Sequence, residues 1–380
     1  MKKIIIPVIF AFLSACSTDS GSGVLGGSVK NIANKISNVT SNLAPDSLKN
    51  AKSSFTKEDP PDFYEPQPDL VRLYLNTMVT FMEIAAGAFD EMSTHLNDVP
   101  NGTGTETVTI GGDEAGTYSI EYNKTDVNNF SFLIFQAEDK KRTAALIAVK
   151  SVNGNTFTIY VNTAIIDDDK SSKAHSPIVK AEITYVSENS WNAKLSLSDR
   201  ICGNGDPAGD GHEPKNLVFY LAYDGSAWKG FGEEYSPRFA DQSPVCSDWT
   251  AAAEILDAKA GIMISRFVAT DLKVKAEVAV FLRTYAVAPI PESGFVTYAL
   301  NKADTTYNTV SPGFPTDSGR NASYYANPFC IDAPGEAVGN INWNDNCGIT
   351  TSFPSTSLMT SVAGMRDLDI SMPDDVNNIP

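Results

Sequence analysis

Histidine, basic side chains and long apolar runs are all scarce in this chain. Only three histidines occur among 380 residues, His95, His175 and His212. They lie far apart, and neither they nor the five cysteines form the closely spaced pairs that a structural zinc site uses. Lys and Arg number 29 against 46 Asp and Glu, a net charge of -17. That balance excludes nucleic acid as a partner, because neutralising phosphates needs clustered cations. No segment approaches the ~20 apolar residues of a membrane-spanning helix. The sequence also lacks a Gly-x-Ser-x-Gly elbow, a His-Glu-x-x-His pair, a Walker loop and a dinucleotide-type glycine pattern. These absences favour a non-enzymatic protein and supply no catalytic residue to name.

What is present begins at the N-terminus. Lys2 and Lys3 precede an apolar run from Ile4 to Leu13, which closes on Leu13-Ser14-Ala15-Cys16. A charged start, a short apolar stretch and small residues before a cleavage point read as a secretory signal over residues 1–15. Leu-Ser-Ala-Cys resembles the lipobox of bacterial lipoproteins. The resemblance covers about twenty residues, and it implies cleavage before Cys16 and acyl groups on that cysteine. Several acyl chains hold a protein on a membrane stably, whereas one is marginal. Ser17, where such proteins kept in the inner membrane carry Asp, implies sorting to the outer membrane of a bacterial cell envelope.

Removing Lys2 and Lys3 takes 29 basic side chains to 27 and the net charge from -17 to -19. Anionic headgroups repel such a chain, so the expected membrane contact is the lipid anchor and not a basic face. With Cys16 lipidated, Cys202, Cys246, Cys330 and Cys347 remain, and four cysteines in an oxidising compartment favour two disulfides. Three connectivities are open. Proximity favours Cys202 with Cys246 and Cys330 with Cys347, each bond contributing ~3 kcal/mol by restricting the unfolded chain.

Residues 16–61 are rich in Ser, Gly, Asn, Lys and Pro, and read as a lipidated flexible tether with a reach of ~35 to 40 Å. Val29, Ile32, Ile36, Val39 and Leu43 interrupt that composition at alternating spacings of three and four. They form one apolar stripe on a helix, which alone would be too short for stability.

The remainder, 62–380, reads as one α+β, β-rich antiparallel domain. Asp69 caps an expected long helix to about Leu96, whose inward stripe includes Val71, Leu75, Met78, Met82, Ala85, Phe89 and Met92. His95 near its end has no partner at ligand spacing. After Pro100 the period changes to two, and short runs from Thr107 to Phe231 predict an antiparallel meander, a curved sheet or partial barrel. Asn153-Gly154 and Asp224-Gly225 mark tight hairpins within it. A second helix is expected near 248–263, then a long strand over Leu272 to Leu282 and another over Phe295 to Leu300. From about residue 286 the chain is irregular in pattern, and a disulfide is expected to supply order there.

Three stretches invite a chemical reading. Asp206, Asp210 and Glu213 sit on a Gly-rich turn that offers hard oxygens to Ca²⁺, although the spacing is not that of an EF-hand and a solvated turn uses the same residues. Asp167-Asp168-Asp169 reads as a solvated hairpin tip. Phe219, Tyr220, Tyr223, Trp228, Phe231, Tyr235 and Phe239 read chiefly as core, with stacking on sugars as the sharper use of any exposed ring.

Two function classes remain. The first is an envelope-anchored, non-enzymatic binding or assembly module, with an envelope protein, a glycan or a lipid as partner. The order of helix, meander, helix and strands is broadly similar to the periplasmic carriers of lipoproteins, which implies a half-barrel around acyl chains. The second is an envelope hydrolase or glycan-active enzyme using loop carboxylates near Asp206 to Glu213 and Asp241, which requires two acids facing one cleft.

Overall fold

The computed structural model describes residues 29–43, 79, 82–83, 85–87, 89–90, 92–93, 95–110, 116–136, 145–162, 178–199, 215–236, 261–271, 273–282, 307–308, 324–332, 341–342, 348–355, 358, 360, 364–365 and 368–380. The chain forms two compact units, one from 1–42, 79–197 and 369–380, the other from 43–78 and 198–368. The protein is β-rich, and its strands form an antiparallel meander.

In the first unit, strands β1 (Gly102–Ile110), β2 (Gly116–Lys124), β3 (Phe130–Gln136), β4 (Ala145–Val152), β5 (Thr156–Asn162), β6 (Ile178–Ser187) and β7 (Ser190–Asp199) follow one another in spatial order. Asn153 and Gly154 both take positive φ, 53° and 63°, inside the three-residue turn that joins Val152 of β4 to its partner Thr156 of β5. Asp126 shapes the β2–β3 turn by accepting the Asn128 and Asn129 N–H groups at 2.7 and 3.0 Å. The two turns then dock, since the Gly154 N–H donates to the Asn128 carbonyl at 2.9 Å.

Alternation along the strands separates two buried faces. Phe130, Phe132 and Ile134 stand opposite Lys124, Tyr122 and Ile120 of β2 and Ile147 and Val149 follow on β4, so these side chains share one face. The described residues between 79 and 98 are helical, with Met82, Ala85, Phe89, Met92 and Leu96 buried. Phe89 stacks on Phe132 and Phe130 at 5.8 and 6.0 Å between ring centres, which seats this helical stretch on that face. The expected start of the helix at Asp69 lies outside the described residues.

Helix α1 (Val29–Ser41) packs beside that helical stretch. Val29, Ile32, Ile36, Val39 and Leu43, the stripe read from the sequence, are all essentially without solvent exposure. The Val29 N–H donates to Asn97 Oδ1 at 3.3 Å and the Thr40 hydroxyl reaches the Met82 carbonyl at 3.4 Å, so the two run antiparallel. Lys35 Nζ donates to the Gly154 carbonyl at 2.6 Å and to Asn155 Oδ1 at 2.8 Å. The expectation of a tether running to residue 61 is therefore corrected over 29–43, where tertiary burial stabilises a helix too short to persist alone.

The opposite face is covered by the C-terminal segment. Leu133, Phe135, Ala145, Ala148 and Tyr160 form a cluster with Val376 and Ile379, against which Ile178, Ile370 and Met372 also pack. Polar bonds fix the segment's register: Asn123 to Asn377 at 2.7 Å, and Lys150 Nζ to the Ile379 carbonyl at 2.7 Å. Val376→Ala should cost about 1 to 2 kcal/mol through the methyl groups lost from this cluster. Urea denaturation of the full chain measures it, with increased binding of an apolar dye as the accompanying sign that the face has opened.

In the second unit, β8 (Lys215–Tyr223), β9 (Trp228–Ser236), β10 (Gly261–Ala269) and β11 (Lys273–Leu282) pair in order, followed by β13 (Tyr324–Asp332) and β12 (Tyr307–Asn308), with β14 (Ile341–Asn342) also on β13. Gly225, with φ 87°, closes the β8–β9 hairpin, where Asp224 Oδ1 accepts from the Ser226 hydroxyl at 2.7 Å and the Ala227 N–H at 3.0 Å. The second helix expected near 248–263 is corrected at its end, because Gly261, Ile262 and Met263 are the first residues of β10. The β-branched and aromatic residues that continue through Val268 favour the strand there, while 249–260 lie outside the described residues. The strand expected over Phe295 to Leu300 lies outside them too. Strand β13, inside the region read as irregular from about 286, is a feature the sequence reading missed.

One sheet face of this unit carries described residues between 348 and 365. Ile349 and Phe353 pack on Ala227 and Val268. Phe353 also lies between cations, with the Arg266 guanidinium 5.0 Å and Lys275 Nζ 4.9 Å from its ring centre. Glu233, fully buried, accepts the Thr360 N–H through Oε2 at 2.6 Å, and Asn216 Nδ2 donates to the Met365 carbonyl at 2.7 Å.

The turn aspartates give the protein an acid sensitivity. The Asn128 N–H and the Asn129 side-chain amide hold the Asp126 carboxyl below its ordinary 3.8. Burial raises that of Asp224, but hydrogen bonds from Ser226, Ala227 and Lys229 together outweigh it and leave the value lowered. A carboxyl depressed on folding stabilises the native state above its unfolded pKa, and that contribution disappears as pH falls through the folded value. Stability should therefore decline as the pH drops from about 4. In the double variant Asp126→Ala, Asp224→Ala, thermal melts across that range should show a shallower decline.

Candidate functional site

Most residues that the sequence marks for chemistry lie outside the described set: Cys16, Cys202, Cys246 and Cys347, the calcium candidates Asp206, Asp210 and Glu213, the Asp167 to Asp169 run, Asp241, His175 and His212. Cys330 sits in β13, with Lys275 and Asn342 as its backbone partners on the two sides. His95 is exposed on the helical stretch between 79 and 98. Among the described residues there is no group of three His, Cys, Asp or Glu side chains that would hold a metal ion, and no helix long and apolar enough to cross a membrane.

The aromatic set resolves into core. Phe219, Trp228 and Phe231 are buried, while Tyr220 and Tyr223 are half-buried, Tyr223 stacking on Trp228 at 4.4 Å. Burial also raises the Tyr220 hydroxyl above its ordinary pKa. Tyr235 belongs to β9 and Phe239 lies outside the described residues.

A surface that the sequence reading passed over lies on β1 and β2. Thr103, Thr105, Thr107 and Thr109 alternate along β1, so all four point to one face, and all four are exposed. Directly opposite on β2 stand Asn123, Glu121, Ser119 and Thr117. This places hydroxyl, amide and carboxylate groups on a grid of about 6.8 Å along a strand and about 4.8 Å between strands. Among the described strands β1 pairs with β2 alone, so the grid occupies the sheet's margin.

The same face changes character at β3. Glu121 stands opposite Leu133, and from there the face becomes the apolar cluster under Val376 and Ile379. The C-terminal segment reaches the border through the Asn123–Asn377 bond at 2.7 Å. Its apolar side chains, Ile370, Met372, Val376 and Ile379, turn to the apolar strands, because a surface of threonines offers little burial energy to them. The threonine row of β1 is thus left to solvent, while Ser119, Glu121 and Asn123 beside it are half-buried.

Each threonine contributes a donor, two acceptor lone pairs and a methyl group. A regular set of these matches a polymer that itself presents hydroxyls and C–H groups at repeating intervals. On the opposite side of β1 the Tyr122 ring lies over Gly104, where any side chain would collide with it. The signal for this surface was legible in the Thr-x-Thr-x-Thr-x-Thr spacing, but only the register with β2 shows a second row in line with the first. Comparison with protein-family models, with curated proteins and with solved structures finds no match.

Proposed function

We propose that the chain is a lipoprotein of the bacterial cell envelope, anchored through acyl groups on Cys16, with Ser17 favouring the outer membrane, and that it is a non-enzymatic binding module for a hydroxyl-rich polymer, a glycan. The observation that carries the ligand class is the pair of in-register polar rows on β1 and β2. Hydrogen bonds from hydroxyls to sugar hydroxyls need no net charge, and the threonine methyls give the C–H faces of the sugars an apolar contact. An acidic chain with a net charge of -17 suits a neutral polymer better than an anionic one.

On this reading the helical residues between 79 and 98 are the end of a helix that begins at Asp69 and lies on a curved sheet. The stacked rings of Phe89, Phe130 and Phe132 fill the face beneath them, which favours a packed core there over a cradle for acyl chains.

The test replaces hydroxyls by methyls without changing shape. Thr105→Val with Thr107→Val should lower binding to insoluble glycan, measured as sedimentation with purified envelope polysaccharide and with peptidoglycan sacculi, by tenfold or more. The melting temperature should be retained, because both side chains are exposed and valine suits a strand at least as well as threonine. Equal sedimentation of wild type and variant, or no sedimentation of the wild type with either polymer, would overturn the ligand assignment.

A further inference from the structure

The position of α1 bears on how the protein is presented at a membrane. Were the chain a free tether to residue 61, the folded part could take any orientation, since 45 residues span up to about 150 Å when extended. Helix α1 removes that freedom. From Cys16 to Val29 there are thirteen residue steps, which cannot exceed about 45 Å even when fully extended. Eight of the twelve intervening residues are Gly or Ser, and chains of that composition and length have a root-mean-square span of about 20 Å.

The point where this link ends is fixed in the first unit. Val29 is fully buried and its N–H donates to Asn97 Oδ1. Lys124 Nζ, from the end of β2, donates to the carbonyls of Leu96, Asn97 and Val99 at 2.8, 3.1 and 2.9 Å. Lys124 in turn stands opposite Gly102, the first residue of β1. Val29 therefore emerges at the end of the unit where β1 starts and β2 finishes. Ile110, at the far end of β1, is eight strand rises away, about 27 Å.

Charge at the emerging end fits the same neighbour. Lys30, Asp98 and Asp126 are exposed there beside uncharged Asn97, Pro100 and Asn101, and Lys124 lies buried beneath them. Opposite signs roughly cancel at this end, in a chain whose whole net charge is -17. It is a surface that anionic headgroups do not repel.

We propose that the surface of the first unit around Val29, Asp98 and Asn101 faces the phospholipid bilayer that carries the anchor, with the Thr109 end of β1 directed away from it. The proposal rests on the lipid-anchor reading and is independent of the glycan assignment. It makes α1 the element that converts an anchor into an orientation.

The experiment uses the lipidated full chain in vesicles of phosphatidylethanolamine and phosphatidylglycerol that carry an energy acceptor on a headgroup. A fluorescent amino acid is placed at Asn101 or at Thr109, both exposed and at opposite ends of β1. Transfer at Asn101 is expected to be at least twofold more efficient than at Thr109. Inserting thirty Gly and Ser residues after Gly27 should abolish the difference. Vesicle flotation of wild type and Cys16→Ala accompanies the measurement. Flotation lost in Cys16→Ala together with equal transfer from the two sites overturns the orientation and leaves the anchor standing. Flotation that persists in Cys16→Ala overturns both. A difference that survives the inserted linker overturns the role given to the short link.

Discussion

Gly230→Val is expected to lower stability by about 3 kcal/mol, or about 6 to 12 °C in melting temperature for a unit of this size. The cause lies in β9 and β10, where Gly230 stands opposite Phe267. The Phe267 ring lies over the glycine, and a Cβ at that position would overlap the ring. The ring has nowhere to move, because Phe267 is fully buried and stacks on Phe219 at 6.2 Å. A valine would force either an off-rotamer phenylalanine or a displaced strand, and close-packed interiors accommodate neither cheaply. Phe267→Ala would vacate that space while leaving a cavity of its own. The double variant should therefore be less destabilised than the sum of the two single ones, a coupling that denaturant titration can read. Additive losses would mean that the ring is not what excludes the side chain.

Lys124→Met should cost a similar amount, about 3 kcal/mol, for a different reason. A helix end leaves carbonyls without partners, and here one ammonium serves three of them, those of Leu96, Asn97 and Val99. Lys124 is 5% exposed, so water cannot take over that role in the variant. Its burial lowers the ammonium pKa, with Asp98 opposing the shift. The folded state thus releases this proton more readily than the unfolded chain does. As pH rises toward the ordinary 10.5, the wild type should gain stability from this group relative to Lys124→Met. Hydrogen exchange gives the local readout: amides between 92 and 98 should exchange faster in the variant even under conditions where the strands stay protected. Exchange that accelerates uniformly across the unit would assign the lysine to global stability instead of to the helix end.

Strand existence was legible because its causes are local. The β-branched and aromatic run Phe130 to Gln136 coincides with β3, and the run Thr156 to Val161 stops one residue short of the end of β5. Both are bounded by turn residues whose preferences need only their immediate neighbours. Asn153-Gly154 is the clearest case, since positive φ at two successive positions is nearly a property of those two residue types. The error at Gly261 to Met263 arose where apolar residues run together and periodicity does not separate helix from strand. The threonine grid was half legible: one row lies in the β1 sequence, but the second row depends on which residue of β2 stands opposite.

The sequence by itself determined the antiparallel meander and its tight hairpins, the apolar stripe of α1, and the lipobox-like segment ending at Cys16. The tertiary structure alone decided that the α1 stripe is buried, that residues 369–380 cover the apolar half of one face and leave the threonine half open, and that Glu233 and Lys124 bind backbone groups inside the protein. Turn and strand propensities act over a few residues, whereas these decisions join groups far apart in the chain. Lys35 and Asn155 are 120 positions apart, and Asn123 and Asn377 are 254. No periodicity within either segment encodes its partner, because burial energy depends on the surface a side chain meets and only the folded chain supplies that surface.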